Sequence, residues 1–565
     1  MRELPPPAKS AHVDTFCRDN LPPAHLWPEF LPAPQYPERL NCATELLDAT
    51  IGRYGPDRRC LLTPDGETWT YGQLRATVDR IARILVTDLG IVPGNRVLLR
   101  GPNNPWLAAC WLAVIKAGAV TVTTMPLLRS GELTKIAQIS QPSLALCDAR
   151  FLPDLLEADL GGAQIVPYGG PSPDDLTARM PAIVGDSIDA VDPFPAVDTS
   201  ADDVALLAFT SGTTGRPKAT MHFHRDALAI CDTFSARVIK PQPDDIFTGS
   251  PPLAFTFGLG GLLLFPLRAG AAALLLERAG PEQLADAIDA CGATICSTAP
   301  TAYRAMLRSG RTASLSRLRR AVSAGEHLPE STWRAVYEAT GLRIIDGIGS
   351  TEMLHVFVSA ADDDIKPGAT GTAVPGYEAA VLDVEGVPLP PNTPGRLAVK
   401  GPTGCRYLAD DRQGSYVQRG WNITGDTFLQ DLDGYFHYLA RTDDMIISSG
   451  YNIAGPEVEE ALLGHDAVLE CCVVGAPDDE RGQLVTAFVV VREAVTADEA
   501  LAAELQDFVK RKIAPYKYPR AIRFVPSLPR SATGKVQHFV LRERAAEGPP
   551  GGGTAVAPRA GTGRQ

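Results

Sequence analysis

Thr210-Ser211-Gly212-Thr213-Thr214-Gly215-Arg216-Pro217-Lys218 follows directly on the apolar run Val204 to Phe209. The apolar run predicts a buried strand, and the residues after it combine hydroxyl groups, glycines and cations. Such a loop can turn backbone N–H groups and hydroxyls onto phosphate oxygens, while Lys218 adds a point charge and Pro217 stiffens its far end. The stretch therefore predicts a polyphosphate-binding loop, with a plain polar surface turn as the structural alternative.

This loop is not a Walker A motif, because the G-x-x-x-x-G-K-[ST] spacing is absent and Ala219 follows Lys218. The common P-loop NTPase folds are therefore not indicated. Four further polar segments follow along the chain: Gly349-Ser350-Thr351-Glu352, Trp421-Asn422-Ile423-Thr424-Gly425-Asp426, Arg441-Thr442-Asp443-Asp444 and Pro529-Arg530-Ser531-Ala532-Thr533-Gly534-Lys535.

In sequence and in order, these five segments resemble the motifs of the adenylate-forming superfamily. That superfamily includes acyl- and aryl-CoA ligases, nonribosomal adenylation domains and luciferases, and each member joins a carboxylate to AMP. The runs Ser250 to Gly260 and Asp346 to Ser359, with the N-terminal phrases, resemble benzoate-CoA and especially 2-aminobenzoate-CoA ligases. The resemblance covers residues 1 to about 545.

Composition limits the partners that the chain can be expected to have. With 565 residues it is long enough for three or four structural units at about 150 residues each. The net charge of -13 argues against nucleic acid as a main partner, and no apolar run forms a clean membrane span. Eleven cysteines without a C-x-x-C pair, and no signal peptide at the N-terminus, favour a reducing cytoplasmic location.

Alternating β-rich and helical segments predict an α/β fold in which parallel βα units build a large N-terminal domain of several subdomains. A shift toward a two-residue period from Gly371 to Val399 predicts a small β subdomain. Residues 1 to about 40 are proline-rich and are expected to wrap a surface without regular structure. The predicted domains are 1–440, a small mobile α+β C-terminal domain over 441–545, and a disordered tail over 546–565.

The resemblance implies a nucleotide site in which Thr214 and Glu352 hold Mg²⁺, since hydroxyl and carboxylate oxygens are hard ligands. Thr351 is expected to reach the α-phosphate, and Asp426 to accept from the ribose hydroxyls. Taken alone, the Ser-Thr-Glu segment could equally cap a helix, and Arg441 could belong to an exposed ion-pair cluster. The expected ATP contacts are Thr210, Ser211, Gly212, Thr213, Thr214, Gly215, Lys218, Glu326, Asp346, Gly347, Thr351, Asp426, Arg441 and Lys535.

Lys535 resembles the catalytic lysine of the superfamily, with Lys218, Thr351 and Glu352 completing the catalytic group. Its ammonium would neutralise charge that develops between the carboxylate and the α-phosphate. Because a thiol must then approach the same carbonyl, the lysine cannot stay in the site for both half-reactions. The superfamily rotates its C-terminal domain about a hinge, which matches Asp443 here.

The resemblance to the aryl branch implies a flat ring pocket with Phe255 as the gate aromatic. His355 could contact a ring substituent or could simply be a packing residue, and Thr256 is a second candidate for an ortho substituent. Coenzyme A is expected to thread past Ser449, Gly450 and Tyr451. The basic run Lys510-Arg511-Lys512 fits a solvated helix face better than a phosphate site. The expected substrate residues are Phe255, Thr256, Phe257, Gly325, Ile348, Gly349 and His355.

Together these features predict an ATP-dependent aryl-CoA ligase whose partners are an aromatic acid, ATP and coenzyme A, with Mg²⁺ as cofactor and a homodimer as a compatible assembly. An aryl-AMP ligase that loads a separate carrier protein and a medium-chain acyl-CoA ligase are the enzymatic alternatives. A catalytically silent nucleotide-binding protein is disfavoured by the intact Lys218, Glu352, Asp426 and Lys535.

Overall fold

Four β-sheets organise the part of the chain that the computed structural model describes. For Tyr451 and Asn452 this description covers the backbone alone. The described residues are 9–32, 35–180, 192–210, 217–441, 444–448, 451–478, 481–493, 495–513, 515–530 and 535–547.

The hairpin that carries the phosphate loop forms one edge of a six-stranded sheet. Its two strands pair antiparallel with Thr210 opposite Lys218, whereas all other neighbours in this sheet run parallel. The sheet is almost entirely buried because its strands are continuous runs of Val, Leu and Ala, as expected for parallel strands covered on both faces. The strand order is Gln164–Tyr168, Leu144–Asp148, Arg96–Arg100, Val120–Thr124, Val204–Thr210 and Lys218–Phe223.

A nine-stranded sheet packs beside the first and has a parallel centre with antiparallel edges. Its strand Ile344–Gly349 delivers the Gly-Ser-Thr-Glu segment at its carboxyl end, the edge at which ligands bind in open α/β sheets. The strand order is Thr372–Ala373, Val356–Ser359, Ile344–Gly349, Arg320–Ala324, Ile295–Thr298, Ile246–Gly249, Ala272–Leu274, Arg59–Leu62 and Thr68–Thr70.

Amphipathic helices cover the faces of these two sheets. Helix Tyr71–Thr87 begins at a capping box, in which Thr70 Oγ1 accepts from the Gln73 N–H at 3.1 Å and the Gln73 side chain accepts from the Thr70 N–H at 2.7 Å. The other α-helices up to residue 441 are Phe16–Asp19, Ala49–Tyr54, Pro105–Lys116, Ser130–Ser140, Leu152–Leu156, His224–Ile230, Thr256–Leu259, Phe265–Ala269, Pro281–Cys291, Pro300–Arg308, Thr312–Ser316, Glu330–Thr340 and Gln413–Tyr416. Wider π-helical turns extend three of them: Thr44–Asp48, Cys231–Ile239 and Gly260–Leu264.

A five-stranded antiparallel sheet forms the predicted small β subdomain and reaches further along the chain than residue 399. Strand Trp421–Gln430 pairs with Phe436–Arg441 in a register that sets Asp426 opposite Arg441. Two predicted motifs therefore meet as cross-strand neighbours. The remaining strands are Glu378–Leu382, Gly395–Lys400 and Val417–Gln418.

The C-terminal unit is α+β, with a five-stranded sheet and three α-helices. Its two long strands Val468–Asp478 and Gly482–Val491 pair antiparallel and share the core with the helices of the unit, and Ala521–Phe524 joins them in parallel. Ile446–Ser448 and Tyr451–Ile453 complete the sheet. The helices are Gly455–Leu463, Glu499–Lys512 and His538–Ala546.

The N-terminal segment packs as predicted, but the expectation that it has no regular structure is wrong. Helix Phe16–Asp19 lies within it because Asp14 accepts from the Phe16 N–H at 3.0 Å and starts a turn. Further along, Trp27 and Phe30 lie over the buried Arg406 guanidinium at 5.7 and 4.9 Å from their ring centroids.

The structure confirms the predicted α/β class and corrects one local prediction. Past the phosphate loop, the sequence pattern predicts a helix from Asp226 to Val238, whereas strand Lys218–Phe223 intervenes and the helix begins at His224. No helix among the described residues is long and apolar enough to cross a membrane. All eleven cysteines are free thiols.

Candidate active site

The predicted phosphate loop closes the hairpin between Thr210 and Lys218. The flanking residues Thr210 and Lys218 are therefore held one strand spacing apart at the edge of the six-stranded sheet. The other predicted phosphate-binding residues, Ser211, Gly212, Thr213, Thr214 and Gly215, lie outside the described residues.

A tyrosine hydroxyl connects the lysine of this loop to the predicted magnesium ligand. Lys218 Nζ donates to Tyr407 Oη at 2.8 Å, and Tyr407 Oη donates to Glu352 Oε1 at 2.5 Å. Lys218 Nζ itself lies 3.8 Å from the same carboxylate oxygen. Burial and the Glu352 carboxylate raise the pKa of Tyr407 far above its usual value, so the hydroxyl keeps its proton. The hydroxyl thus holds the cation and the carboxylate in a fixed mutual arrangement.

The turn that carries Thr351 is anchored from the neighbouring sheet. His222 Nε2 lies 2.8 Å from the Thr351 carbonyl oxygen, so this nitrogen carries the proton and donates. His222 is fully buried beside Asp226, which pairs with Arg406 at 2.5 Å. Burial alone would raise the pKa of Asp226, but Arg406 and His222 outweigh it and hold the pKa well below its usual value. A buried ion pair therefore fixes the backbone next to Glu352.

Asp426 and Arg441 form an ion pair at 3.0 Å across adjacent strands. The carboxylate is 4% exposed, whereas the Arg441 side chain is 48% exposed. Burial raises the pKa of Asp426, and Arg441 partly offsets that rise. The pair is positioned to present a carboxylate oxygen to a hydroxyl-bearing ligand while Arg441 reaches toward solvent.

Two of the expected ATP contacts, Asp346 and Gly347, lie on the nine-stranded sheet. Burial raises the pKa of Asp346 to about 8, and its Oδ1 has no hydrogen-bond partner in the structure. A neutral carboxyl offers both a donor and an acceptor, which suits the edge of a purine. At Gly347 any larger residue is excluded, because a Cβ there would come within 2.7 Å of Val356 Cγ1.

Lys535 comes from the C-terminal unit and enters the cleft of the N-terminal unit. A Cβ built at Gly325 would lie 3.6 Å from Lys535 Cε and 3.8 Å from its Nζ. The residue is solvent-exposed as a whole, yet its ammonium end is surrounded by protein, and this desolvation lowers its pKa. The negative charges of Glu326 and Asp426 partly raise the pKa of Lys535 again, whereas the positive charge of Arg441 lowers it further. The two units are therefore closed together around this cleft.

The predicted ring-pocket residues converge from two directions. Phe255 precedes helix Thr256–Leu259, and Phe255, Thr256 and Phe257 are all half-buried. Ile348 and Gly349 end the strand on the opposite side and are also half-buried. His355 links the two sides, because its ring lies 5.7 Å from that of Phe257 and its carbonyl oxygen would be 2.7 Å from a Cβ at Gly349.

The His355 ring is packed among aromatic side chains. Its centroid lies 4.6 Å from Phe265 and 5.3 Å from Phe234, and a Cβ at Gly260 would come within 2.4 Å of its Cδ2. Burial lowers the pKa of His355 to about 3, so the ring is neutral, and neither buried nitrogen has a hydrogen-bond partner among the described residues. This geometry favours the packing alternative, in which His355 forms part of the pocket wall.

Two family models match the chain. The model for AMP-binding enzymes matches residues 47–407, and the model for the C-terminal domain of AMP-binding enzymes matches residues 457–535. The chain belongs to the AMP-binding enzyme family.

Relatives of this AMP-binding enzyme include a benzoate–CoA ligase of Thauera aromatica. It is 34% identical over 523 residues, which cover 90% of this chain and 97% of that protein. Among solved structures, the anthranilate CoA ligase AuaEII in complex with anthranoyl-AMP is 32% identical with a TM-score of 0.83, covering 91% of this chain and 98% of that one. A benzoate CoA ligase from Burkholderia xenovorans LB400 is also 32% identical, with a TM-score of 0.79 and coverage of 89% and 100%.

These matches confirm two predictions for the AMP-binding enzyme: its membership of the adenylate-forming superfamily and its fold with a large α/β unit and a small C-terminal unit. The names of the relatives agree with an AMP-forming acid–thiol ligase. The individual site residues remain predictions.

The predicted hinge and part of the predicted coenzyme A site fall outside the part of the chain that the structure describes. The hinge residue Asp443 and the coenzyme A residues Ser449 and Gly450 lie outside the described residues. The backbone of Tyr451 begins strand Tyr451–Ile453 opposite Ser448, in a hairpin at the edge of the C-terminal sheet.

Several residues that shape the site have no local sequence signal. Tyr407 lies in the stretch Gly404-Cys405-Arg406-Tyr407, which resembles no phosphate-binding motif, and it reaches the site only through the fold. The same holds for His222 under Thr351 and for Gly260 beside His355. An alternating polar pattern over Lys218–Phe223 would have been the signal for His222, since it sets every second side chain toward the adjacent turn.

Proposed function

We propose that this AMP-binding enzyme is an ATP-dependent aryl-CoA ligase for an aromatic acid of the benzoate or 2-aminobenzoate type. The observation that carries the proposal is the entry of Lys535 into the cleft beside Gly325, in the same cleft as Asp426 and Glu326. A cation from a separate unit is thereby brought to the predicted nucleotide site. The names of the relatives support the aryl-CoA class.

In the first half-reaction, a carboxylate oxygen of the acid attacks the α-phosphorus of ATP and pyrophosphate leaves. Two anions must approach each other, so the site has to supply positive charge at fixed positions. Lys218 and Lys535 supply that charge from two sides of the cleft. Asp426, paired with Arg441 at 3.0 Å, would accept from the ribose hydroxyls and so orient the nucleotide.

The residues present fit a magnesium ion. Glu352 offers a buried carboxylate, 7% exposed, with Oε1 engaged by Tyr407 and the other oxygen available as a hard ligand. Glu352, with Thr214 as the second predicted ligand, would hold Mg²⁺, which when bound would help to neutralise the triphosphate. Thr351, whose backbone His222 fixes, would contact the α-phosphate.

In the second half-reaction, the thiol of coenzyme A attacks the carbonyl carbon of the aryl-AMP, and AMP leaves. Lys535 occupies the approach to that carbonyl, so the C-terminal domain, residues 441–545, would rotate about Asp443 and bring Ser449, Gly450 and Tyr451 to the cleft. Residues 1–440 would stay fixed as the N-terminal domain, with 546–565 as a disordered tail.

Aromatic walls support an aryl substrate. Phe255, Phe257 and the His355 ring provide flat apolar surfaces, and Gly349 leaves space next to them. Because both nitrogens of His355 are buried, the Thr256 hydroxyl is the better placed group for an ortho amino substituent.

A substrate panel assayed for AMP release tests this function. Benzoate, 2-aminobenzoate, 2-hydroxybenzoate and octanoate would each be supplied with ATP, Mg²⁺ and coenzyme A. We expect benzoate or 2-aminobenzoate to give the highest kcat/KM, with AMP release dependent on coenzyme A. A preference for octanoate would replace the aryl class by the medium-chain class. Aryl-AMP formation without any turnover by coenzyme A would instead indicate a carrier-loading ligase.

A further inference from the structure

Three side chains with different metal-binding atoms meet inside the C-terminal unit, and the proposed function uses none of them. Glu459 comes from helix Gly455–Leu463, Cys472 from strand Val468–Asp478 and His538 from the start of helix His538–Ala546. Their ligand atoms lie within 4.8 Å of one another. Cys472 Sγ is 3.7 Å from His538 Nε2 and 3.9 Å from its Nδ1.

One of these separations is close to that of a tetrahedral metal site, and all lie within 4.8 Å. With bonds of about 2.3 Å to sulfur and about 2.0 Å to nitrogen or oxygen, ligand atoms around Zn²⁺ lie roughly 3.3–3.6 Å apart. The Cys472–His538 pair is already near that spacing. Glu459 Oε1 accepts from the Val473 N–H at 2.7 Å, which orients the carboxylate and leaves its second oxygen for an ion.

The charges of the cluster also suit a divalent cation. A Cys472 thiolate and a Glu459 carboxylate together balance a 2+ ion, with neutral His538 as the third ligand. A nucleophilic role is excluded because Cys472 is 1% exposed and offers no approach to a substrate carbonyl.

The surroundings provide an orienting group and a route of entry. Asp444 pairs through Oδ1 with Arg542, and its Oδ2 lies 3.8 Å from His538 Nδ1, so a small rotation of the ring would let Nδ1–H donate to it and direct Nε2 toward a metal. The side chains of His538 and Asp444 are 31% and 19% exposed, so an ion can enter from that side and solvent can fill the fourth position.

We propose that Glu459, Cys472 and His538 form a structural site for Zn²⁺ or a similar transition-metal ion, with Asp444 orienting His538. Sulfur and imidazole ligands favour such ions over Mg²⁺, so this site is distinct from the magnesium site of the reaction. The ligands come from two helices and a strand, and Asp444 directly follows the predicted hinge residue. A bound ion would therefore cross-link the core of the C-terminal unit to the segment that leaves the hinge.

Cobalt binding to the full chain tests the site directly. The tag-free, chelator-treated protein would be titrated with Co²⁺ while the near-ultraviolet thiolate-to-cobalt charge-transfer absorption is recorded, and Zn²⁺ would then be added as a competitor. We expect one Co²⁺ per chain, a charge-transfer band that Zn²⁺ abolishes and millimolar Mg²⁺ does not. Asp444→Asn, which keeps every ligand, should weaken binding by about 10-fold to 100-fold.

Ligand variants and a neighbouring cysteine provide the controls. Cys472→Ser should remove the band and His538→Gln should weaken binding at least as much as Asp444→Asn. Cys471→Ser should leave the band unchanged, because the Cys471 Sγ instead contacts the backbone carbonyl of Glu459 at 3.5 Å. Circular dichroism would verify that each variant is folded. Absence of the band in the wild-type chain, or its persistence in folded Cys472→Ser, would overturn the proposal.

Discussion

Tyr407 organises the charges of the candidate active site. Its hydroxyl accepts from Lys218 and donates to Glu352, while its ring lies 4.7 Å below the Lys218 ammonium. A lysine and a glutamate at 3.8 Å could collapse into a direct ion pair, which would withdraw both from a substrate. The neutral hydroxyl between them hydrogen-bonds to both groups, which orients the Glu352 carboxylate and holds the Lys218 ammonium at a fixed position.

Removal of this hydroxyl should reduce adenylation without unfolding the site. We expect Tyr407→Phe to lower kcat/KM for ATP by about 10-fold to 100-fold, because hydrogen bonds to two charged groups are lost while the ring remains. ATP–pyrophosphate exchange dependent on the aromatic acid would measure the effect.

Tyr416→Phe is the matched control for Tyr407→Phe. Tyr416 is a neighbouring tyrosine whose ring lies 5.7 Å from that of Tyr407, but its hydroxyl contacts only the Ser350 hydroxyl, at 3.2 Å, among the described hydrogen bonds. Its exchange rate should stay within about 3-fold of wild type, as for a single neutral hydrogen bond. Equal losses in the two variants would contradict the bridging role of Tyr407.

At the scale of elements, the helix that starts at Thr256 sets the shape of the ring pocket. It continues into the π-helical turn Gly260–Leu264, and Gly260 passes directly under the His355 ring. The absence of a side chain at this point lets the helix approach the strand side of the pocket. Helix geometry and ring position are therefore coupled through one glycine.

A methyl group at Gly260 should displace the His355 ring. In Gly260→Ala, the Cβ would lie 2.4 Å from His355 Cδ2 and 3.0 Å from Phe265 Cζ. Overpacking of this kind costs about 1–3 kcal/mol, so we expect a lower thermal midpoint and a raised KM for the aromatic acid. Gly260 already has helical backbone angles, so alanine adds no backbone strain there, and the loss of stability and the rise in KM should come from packing alone.

Gly52→Ala is the control for this packing effect, since it lies in helix Ala49–Tyr54 with no atom within 4 Å of the new Cβ. That substitution should leave KM unchanged and stabilise the protein by up to about 1 kcal/mol. A wild-type KM and midpoint in Gly260→Ala would show that the pocket wall is more compliant than the structure indicates.

Helices and strands could be predicted from the sequence where one pattern of apolar residues, a helical spacing or a continuous apolar run, dominates the segment. The apolar run from Val204 to Phe209 predicts a buried strand, and the observed strand Val204–Thr210 is one residue longer. Strand Lys218–Phe223 was missed because it directly precedes a helix, and its Thr220 and His222 are polar residues buried by tertiary contacts. Its polar and apolar residues do alternate, but six residues between a loop and a helix are too few for this pattern to stand out.

At the scale of the whole molecule, the decisive feature is the position of Lys535. It belongs to the C-terminal unit, yet its ammonium lies beside Gly325 of the other unit. Further contacts hold the two units in this arrangement, including a hydrogen bond from the Ser331 N–H to Glu460 at 3.2 Å. Under the proposed mechanism, this arrangement would be the one in which the lysine acts on the carboxylate and the α-phosphate.

The two half-reactions should respond differently to loss of this ammonium. We expect Lys535→Ala to lower aryl-AMP formation by about 100-fold to 1,000-fold, because a preorganised charge at the developing anion is removed. Thioester formation from preformed aryl-AMP and coenzyme A should stay within about 10-fold of wild type, because the lysine has left the site by then. Rapid-quench measurements of each step would separate the two.

Lys510→Ala is the control for a change of charge in the same unit. Lys510 is paired with Asp507 at 2.8 Å on the outer face of helix Glu499–Lys512, so both half-reactions should proceed at wild-type rates. Comparable losses of both half-reactions in Lys535→Ala would rule out the rotation of the C-terminal domain.

The site could be predicted from the sequence wherever its residues belong to contiguous motifs. Asp426 and Arg441 were predicted separately, and the fold pairs them across two strands. Tyr407, His222 and Gly260 act through distant partners, and no spacing rule relates them to those partners. Their roles depend on how sheets and loops come together, which a single sequence does not specify.

Arg406 has a consequence for where this protein can be shortened. Its guanidinium is fully desolvated, and besides Asp226 it depends on the rings of Trp27 and Phe30 for cover. The recognisable family match begins only at residue 47. Truncation to residue 47 would remove Trp27 and Phe30 and expose one side of the Arg406 guanidinium, whose pair with Asp226 supports the turn at Thr351. The smallest functional protein is therefore expected to include residues that precede the family match.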